Sequence, residues 1–171
     1  MPTCPRCAFL ALFVAFLTFT GCDSSNPGRD LEIVAGNYVL TDLEFRTTGA
    51  SGIRVDVVDE LDLGEVRLRI FRTEDDEALL EIGTDRGVTD LIELTVSPSR
   101  GRVRLDAADN GDEEDLAALL FPDRFTLTYE GETANRLEAD ITLDSVNLEE
   151  FSDRYEGVRD VSGTLSVTFE R

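Results

Sequence analysis

From residue 36 to the C-terminus apolar and polar residues alternate with a period of two, and no other feature constrains the fold as much. Successive side chains of a strand point to opposite faces, so alternation of this kind marks strands with one buried face. The clearest run is Val161, Gly163, Leu165, Val167 and Phe169 set against Ser162, Thr164, Ser166, Thr168 and Glu170. Leu137, Ala139, Ile141 and Leu143 alternate with Glu138, Asp140, Thr142 and Asp144, and Phe125, Leu127 and Tyr129 follow the same rule. Rougher alternation covers 38–46, 53–58, 65–72, 77–83, 88–96 and 102–106, which makes eight or nine strands. Turn-forming residues such as Ser97-Pro98-Ser99-Arg100-Gly101 separate them at intervals too short for parallel crossovers. The predicted class is therefore all-β, an antiparallel meander, with one or two short helices. Asp112 is the expected cap of a helix ending at Phe121-Pro122, and Asn147 with Glu150 three residues on has the form of a capping box opening 148–155.

Strands apolar on one face must close into a barrel or fold into two packed sheets. We expect the barrel, with a β-sandwich as the alternative. The inward set begins with Val39, Leu43 and Phe45 and continues through Val55, Val57, Val66, Leu68, Ile70, Leu94, Val96, Val103 and Leu105 to Leu165, Val167 and Phe169. Ala139 is its small member. An eight-stranded barrel is just wide enough to be filled by its own side chains, so a filled lumen is expected, with Phe121 and Phe151 near the mouth. A membrane-spanning barrel would need the apolar face outward and a polar lumen, which these charged strand faces oppose.

The first residues carry a different signal. Residues 8–20 (AFLALFVAFLTFT) hold no charge, and a run of this length is too short to span a bilayer but suits the core of a signal peptide. The run Phe19-Thr20-Gly21-Cys22 that ends it resembles the lipobox of bacterial lipoproteins, with Phe where that family usually has Leu. The resemblance implies cleavage before Cys22, lipidation of Cys22 and anchoring to a membrane through N-terminal acyl chains. It divides the chain into a signal peptide (1–21), a lipidated N-terminus and spacer (22–35) and a single β domain (36–171). Asp23 resembles an inner-membrane retention signal, so anchoring to the outer membrane, on its periplasmic face or at the cell surface, stands beside anchoring to the inner membrane. Cleavage removes Cys4 and Cys7, whose C-x-x-C spacing has neither a second pair nor a histidine to complete a metal site.

Composition then excludes most chemistry. There are 36 acidic residues against 16 basic ones, a formal net charge of −20, and every basic residue is arginine. Such a charge repels nucleic acid. The composition, free of lysine, resembles that of salt-adapted bacteria. Without His, Lys or Trp the chain has no imidazole base, no Schiff-base amine and no tryptophan platform for a sugar, and Gly-x-Ser-x-Gly does not occur. Residues 106–117 fail as a calcium loop because Ala108 and Ala117 stand where carboxylates are required. We therefore expect no catalytic residue, no metal and no cofactor.

Two features remain. Arg100, Arg102 and Arg104 share one strand face, and Arg67 and Arg69 share another. They form a candidate patch for an anion or acidic partner, or else pair with carboxylates and relieve repulsion on an acidic sheet. The second feature is Gly36-Asn37-Tyr38-Val39-Leu40 opening the first strand of a meander that ends in Gly163-Thr164-Leu165-Ser166-Val167-Thr168-Phe169. With the lipoprotein signal, it resembles the lipocalin-like β-barrel lipoproteins of bacteria over 36–171, with Tyr38 in place of the family's Trp. The resemblance implies a non-enzymatic envelope scaffold that binds a small apolar ligand or an envelope protein. An adhesion or assembly module accompanies the sandwich alternative.

Overall fold

The computed structural model describes residues 27–49, 52–71, 77–84 and 87–171. The expected signal peptide (1–21), Cys22 and Asp23 lie outside the described residues. Nine strands form one sheet: β1 (Gly36–Thr47), β2 (Arg54–Asp56), β3 (Glu65–Ile70), β4 (Glu77–Thr84), β5 (Gly87–Ser99), β6 (Arg102–Ala107), β7 (Arg124–Thr128), β8 (Arg136–Val146) and β9 (Val161–Glu170). All pairings are antiparallel. Sequential neighbours pair from β3 to β9, and β1 pairs with β9 from Val39/Glu170 to Thr47/Gly163, so β1 and β3–β9 close an eight-stranded barrel. This ladder excludes the sandwich. β2 is an extra strand, hydrogen-bonded to the Glu44–Arg46 part of β1, while β3 holds its Gly36–Val39 part.

Inward side chains fill the lumen. Tyr38, Phe45, Phe169, Leu68, Leu80, Ile92, Leu94, Leu105 and Leu127 are all less than 2% exposed. Outward positions of the strands carry Glu, Arg and Thr, so the apolar face is the inner one. Gly163 shows how tightly the closing seam packs: a Cβ there would lie 2.4 Å from the Phe45 ring and from the Arg46 carbonyl oxygen. Ala78, fully buried, is a second small inward residue besides Ala139.

One inward assignment fails. Val39 is 40% exposed and Tyr38 is fully buried. The register of β1 slips between Leu40 and Asp42. A bulge inserts one residue, and with a period of two that exchanges the faces. Tyr38 therefore points inward before the bulge, and Leu43 and Phe45 after it.

The helices also depart from expectation. α1 (Pro27–Val34) occupies part of the segment read as a spacer, and its Leu31 and Val34 are buried in the core. The strand expected over 53–58 ends at Asp56, which caps α2 (Val57–Leu61) by accepting from the Asp59 amide at 3.1 Å. α3 (Asn110–Ala118) is capped by Asp109, which accepts from the amides of Gly111 and Asp112. The expected cap, Asp112, lies in the first turn and accepts from the Glu93 amide of β5 at 2.8 Å. α4 (Leu148–Phe151) is a single turn, and Asn147 makes no capping bond. A 3-10 turn over Asp153–Tyr155 follows, capped by Ser152.

α1 seals one end of the barrel. The Tyr38 hydroxyl donates to the Val34 carbonyl at 2.7 Å, and Arg171 lies over the Tyr38 ring at 4.8 Å. The Arg171 guanidinium donates to the carbonyls of Ile33 and Ala35 and to the Tyr38 hydroxyl. It fills the space above Gly36, where a Cβ would come within 2.9 Å of it. α2, α3 and α4 crown the opposite end.

Candidate functional site

The barrel wall is weakest between β7 and β8. Every other neighbouring pair around the barrel has an extended ladder, but these two strands pair only at Thr128/Glu138, with the Thr128 hydroxyl donating to the Glu138 carbonyl at 3.0 Å. β7 follows β6 over its whole length and β8 follows β9, so the two diverge toward the crowned end. The effect on β8 is visible residue by residue. Leu137, level with the pairing point, is buried, whereas Ala139, Ile141 and Leu143 are only half-buried.

At the wide end of this opening lies a cleft of about 580 Å³. One wall comes from the end of α3 and its exit: Ala117, Ala118, Leu120, Phe121 and Pro122. The other is Leu143, Asp144, Ser145, Val146 and Asn147 at the end of β8, with Glu150 and Phe151 of α4, and Leu61 of α2 completes it. The α3 wall is held from within, because Leu116, Leu119 and Phe121 are buried and the Phe121 ring sits 4.8 Å from that of Phe125, an inward residue of β7. Phe121 and Phe151, expected near the mouth, both line this cleft. The same seam has a second, more polar depression of about 420 Å³ at its other end, lined by Tyr129, Glu130, Thr133, Asn135 and Arg136 among others.

Two of the four non-glycine residues with positive φ among the described residues line the cleft. Leu120 has φ 63° and Ser145 φ 59°, in a left-handed region where a branched side chain such as leucine is rarely found. Each costs about 1 kcal/mol or more and persists only where surrounding packing holds it. At Leu120 the α3 exit turns back toward the core so that Phe121 is buried, and at Ser145 the β8–β9 register shifts between Leu143 and Val146. Asn147, on the same wall, has a buried side-chain oxygen with no hydrogen-bond donor. An amide oxygen left in this way costs about 1 to 3 kcal/mol.

A carboxylate-centred cluster fixes the crown beside the cleft. Glu60 of α2 accepts from the Ser152 hydroxyl, from Arg154 at 3.3 Å and from the Tyr155 hydroxyl at 3.4 Å. The Ser152 bond first, and Arg154 after it, hold the Glu60 carboxyl below its ordinary range against the opposing effect of desolvation. Burial and the nearby Glu60 charge push the Tyr155 hydroxyl up. Glu149 of α4 is likewise held low by Arg159 and by the Gly157 amide.

The arginines divide. β4 and β5 separate Arg67 and Arg69 from Arg100, Arg102 and Arg104, so the five do not form one patch. Arg67 pairs with Glu65, and Arg69 donates to Glu81 at 2.7 Å and to Asn37 while lying over the Phe71 ring. Arg104 and Arg124 both hold Asp106. Partial burial pushes the Asp106 carboxyl up, but these two arginines outweigh it and leave the group below its ordinary range. Arg100 and Arg102 are exposed. Arg67, Arg69 and Arg104 thus serve the acidic surface. The cleft itself was hidden in the sequence, where only Phe121 and Phe151 hinted at it.

No known protein family, no curated protein and no solved structure matches this chain. Its geometry and sequence alone carry the functional reading.

Proposed function

We propose that the protein is a non-enzymatic, lipid-anchored protein of the bacterial cell envelope, a lipocalin-like barrel that binds a small apolar ligand at the β7–β8 seam. The observation that carries the binding role is the cleft, nine of whose thirteen lining residues are apolar and whose volume falls in the range of small-ligand sites, about 300 to 1,000 Å³. With the lumen filled by its own side chains, the seam rather than the barrel axis receives the ligand. The absence of His and Lys favours binding over catalysis. The Phe19-Thr20-Gly21-Cys22 run supports the anchor.

Two measurements test this reading. Expressed in a bacterium, the chain is expected to fractionate with membranes and carry an acyl mass increment at Cys22, both lost in Cys22→Ala. Unacylated soluble protein from both forms would overturn the anchor. An apolar fluorophore is expected to bind the wild-type chain and to lose its site in Ala117→Phe, which places a ring in the cleft from an exposed position. Binding unchanged by that substitution would place the site elsewhere.

A further inference from the structure

The charged residues that line the cleft are both acidic. Asp144 and Glu150 stand on its β8–α4 wall, both exposed, and no arginine lines it. Of the chain's 16 arginines, nine form the ten ion pairs seen among the described residues, with carboxylates elsewhere that include Glu60, Asp106 and Glu149. Asp144 and Glu150 take part in none of them, although Arg159, paired with Glu149, also feels the charge of Glu150. Between these two carboxylates in the sequence, Asn147 adds a buried acceptor oxygen that has no donor.

From this arrangement we infer that the cleft takes an amphiphilic cation, an organic amine whose apolar body lies against Leu120, Phe121, Leu143 and Phe151 and whose ammonium group is held by Asp144 and Glu150. The inference rests on the cleft being the binding site and adds the charge of its ligand. A carboxylate-bearing amphiphile of the same size would meet two like charges. Near a protein surface, unit charges in contact attract or repel strongly enough to change affinity severalfold or more, depending on the local dielectric. The attraction of the amine and the repulsion of the acid therefore separate the two by about tenfold or more. An ammonium also brings N–H donors for the two carboxylates, which can only accept.

The test uses the purified full chain and three probes of one chain length, octylammonium, octanol and octanoate, titrated at 0.15 M NaCl. There the screening length is about 8 Å, so distant acids contribute little and the groups in the cleft dominate. Octylammonium is expected to bind about tenfold more tightly than octanoate, with octanol between them. Ala117→Phe should abolish the binding of all three. Asp144→Asn with Glu150→Gln should bring the amine-to-acid ratio within about twofold, whereas Glu132→Gln, an exposed acid in the loop between β7 and β8 at the α1 end, should leave it unchanged. Octanoate binding as well as octylammonium, with both abolished by Ala117→Phe, would overturn the charge preference and leave the cleft as the site. A preference that survives the double substitution would show that net charge, not these carboxylates, produces it. Failure of all three probes to bind, or binding that survives Ala117→Phe, would overturn the cleft itself.

Discussion

Between β9 and β1 the sheet closes with a long ladder, from Val39/Glu170 to Thr47/Gly163 with one bulge at Leu40–Asp42, whereas between β7 and β8 it holds at Thr128/Glu138 and splays above that point. The first seam is sealed by backbone hydrogen bonds backed by two fully buried rings, Phe45 and Phe169, with Gly163 clearing space for the Phe45 ring. At the second, side chains do what the backbone does not: α3 packs on β5 and β6, and the chain leaving it sets Phe121 against Phe125 beside the gap. A seam closed by a ladder leaves no room for a ligand. One closed by side chains from a crowning helix leaves a cleft whose walls can differ in shape and charge from the barrel beneath. The ends of the barrel repeat the contrast, since Arg171 and Tyr38 tie α1 across one end while the crown at the other carries the strained Leu120 and Ser145.

The largest effect expected from this difference is in stability. Phe45→Ala empties the closing seam and should cost about 4 kcal/mol, the usual range for a fully buried ring. Leu143→Ala, on the half-buried wall of the open seam, should cost less than about 2 kcal/mol because its site already meets solvent. Denaturant unfolding of the two variants measures the gap, and equal losses would mean that the seams bear the fold alike.

A smaller effect is expected at the sealed end. Arg171→Ala removes a stacked cation and three hydrogen bonds, to Ile33, Ala35 and Tyr38, and should destabilise the protein by about 1 to 2 kcal/mol. Amide exchange should quicken in α1 before it changes in β9. Uniform acceleration across the barrel would show that α1 is not a separable seal.

The smallest concerns the crown and pH. Because the Glu60 carboxyl is held below its ordinary value of 4.5, its bonds to Ser152, Arg154 and Tyr155 contribute stability above that value and lose it as pH falls through the lowered one. Amide exchange over 152–155 should therefore rise below about pH 4.5 before the β1–β9 ladder responds. In Glu60→Gln that acid step should be absent. Its persistence in the variant would assign the step to another carboxylate, Glu149 being the nearest candidate by position in the crown.

Much of the fold was legible in the alternation, since each strand's buried face depends on its own residues and the geometry of a pleated backbone. The C-terminal strand shows this best, with Leu165, Val167 and Phe169 buried as their spacing requires. The site was far less legible. Its two walls come from residues 117–122 and 143–151, with Leu61 from a third region, and no local pattern records that these meet. The acids of the cleft look in sequence like any others on an acidic chain, and only their place on the wall of an apolar cleft distinguishes them.

The sequence by itself determined an all-β antiparallel meander, its strand number and the apolar character of its interior, because period and turn chemistry are local properties. Tertiary structure decided which residues complete that interior and where it opens. The bulge between Leu40 and Asp42 turns Tyr38 inward, and it lies where β1 is shared between β3, β2 and β9, a competition between partners distant in sequence. Asp109 rather than Asp112 caps α3, while Asp112 binds the Glu93 amide of β5. α1 became part of the barrel because Leu31 and Val34 find the open end of the lumen, a surface that exists only once the sheet has closed. The β7–β8 seam opened because each strand follows its other neighbour, and that divergence is a property of the closed sheet.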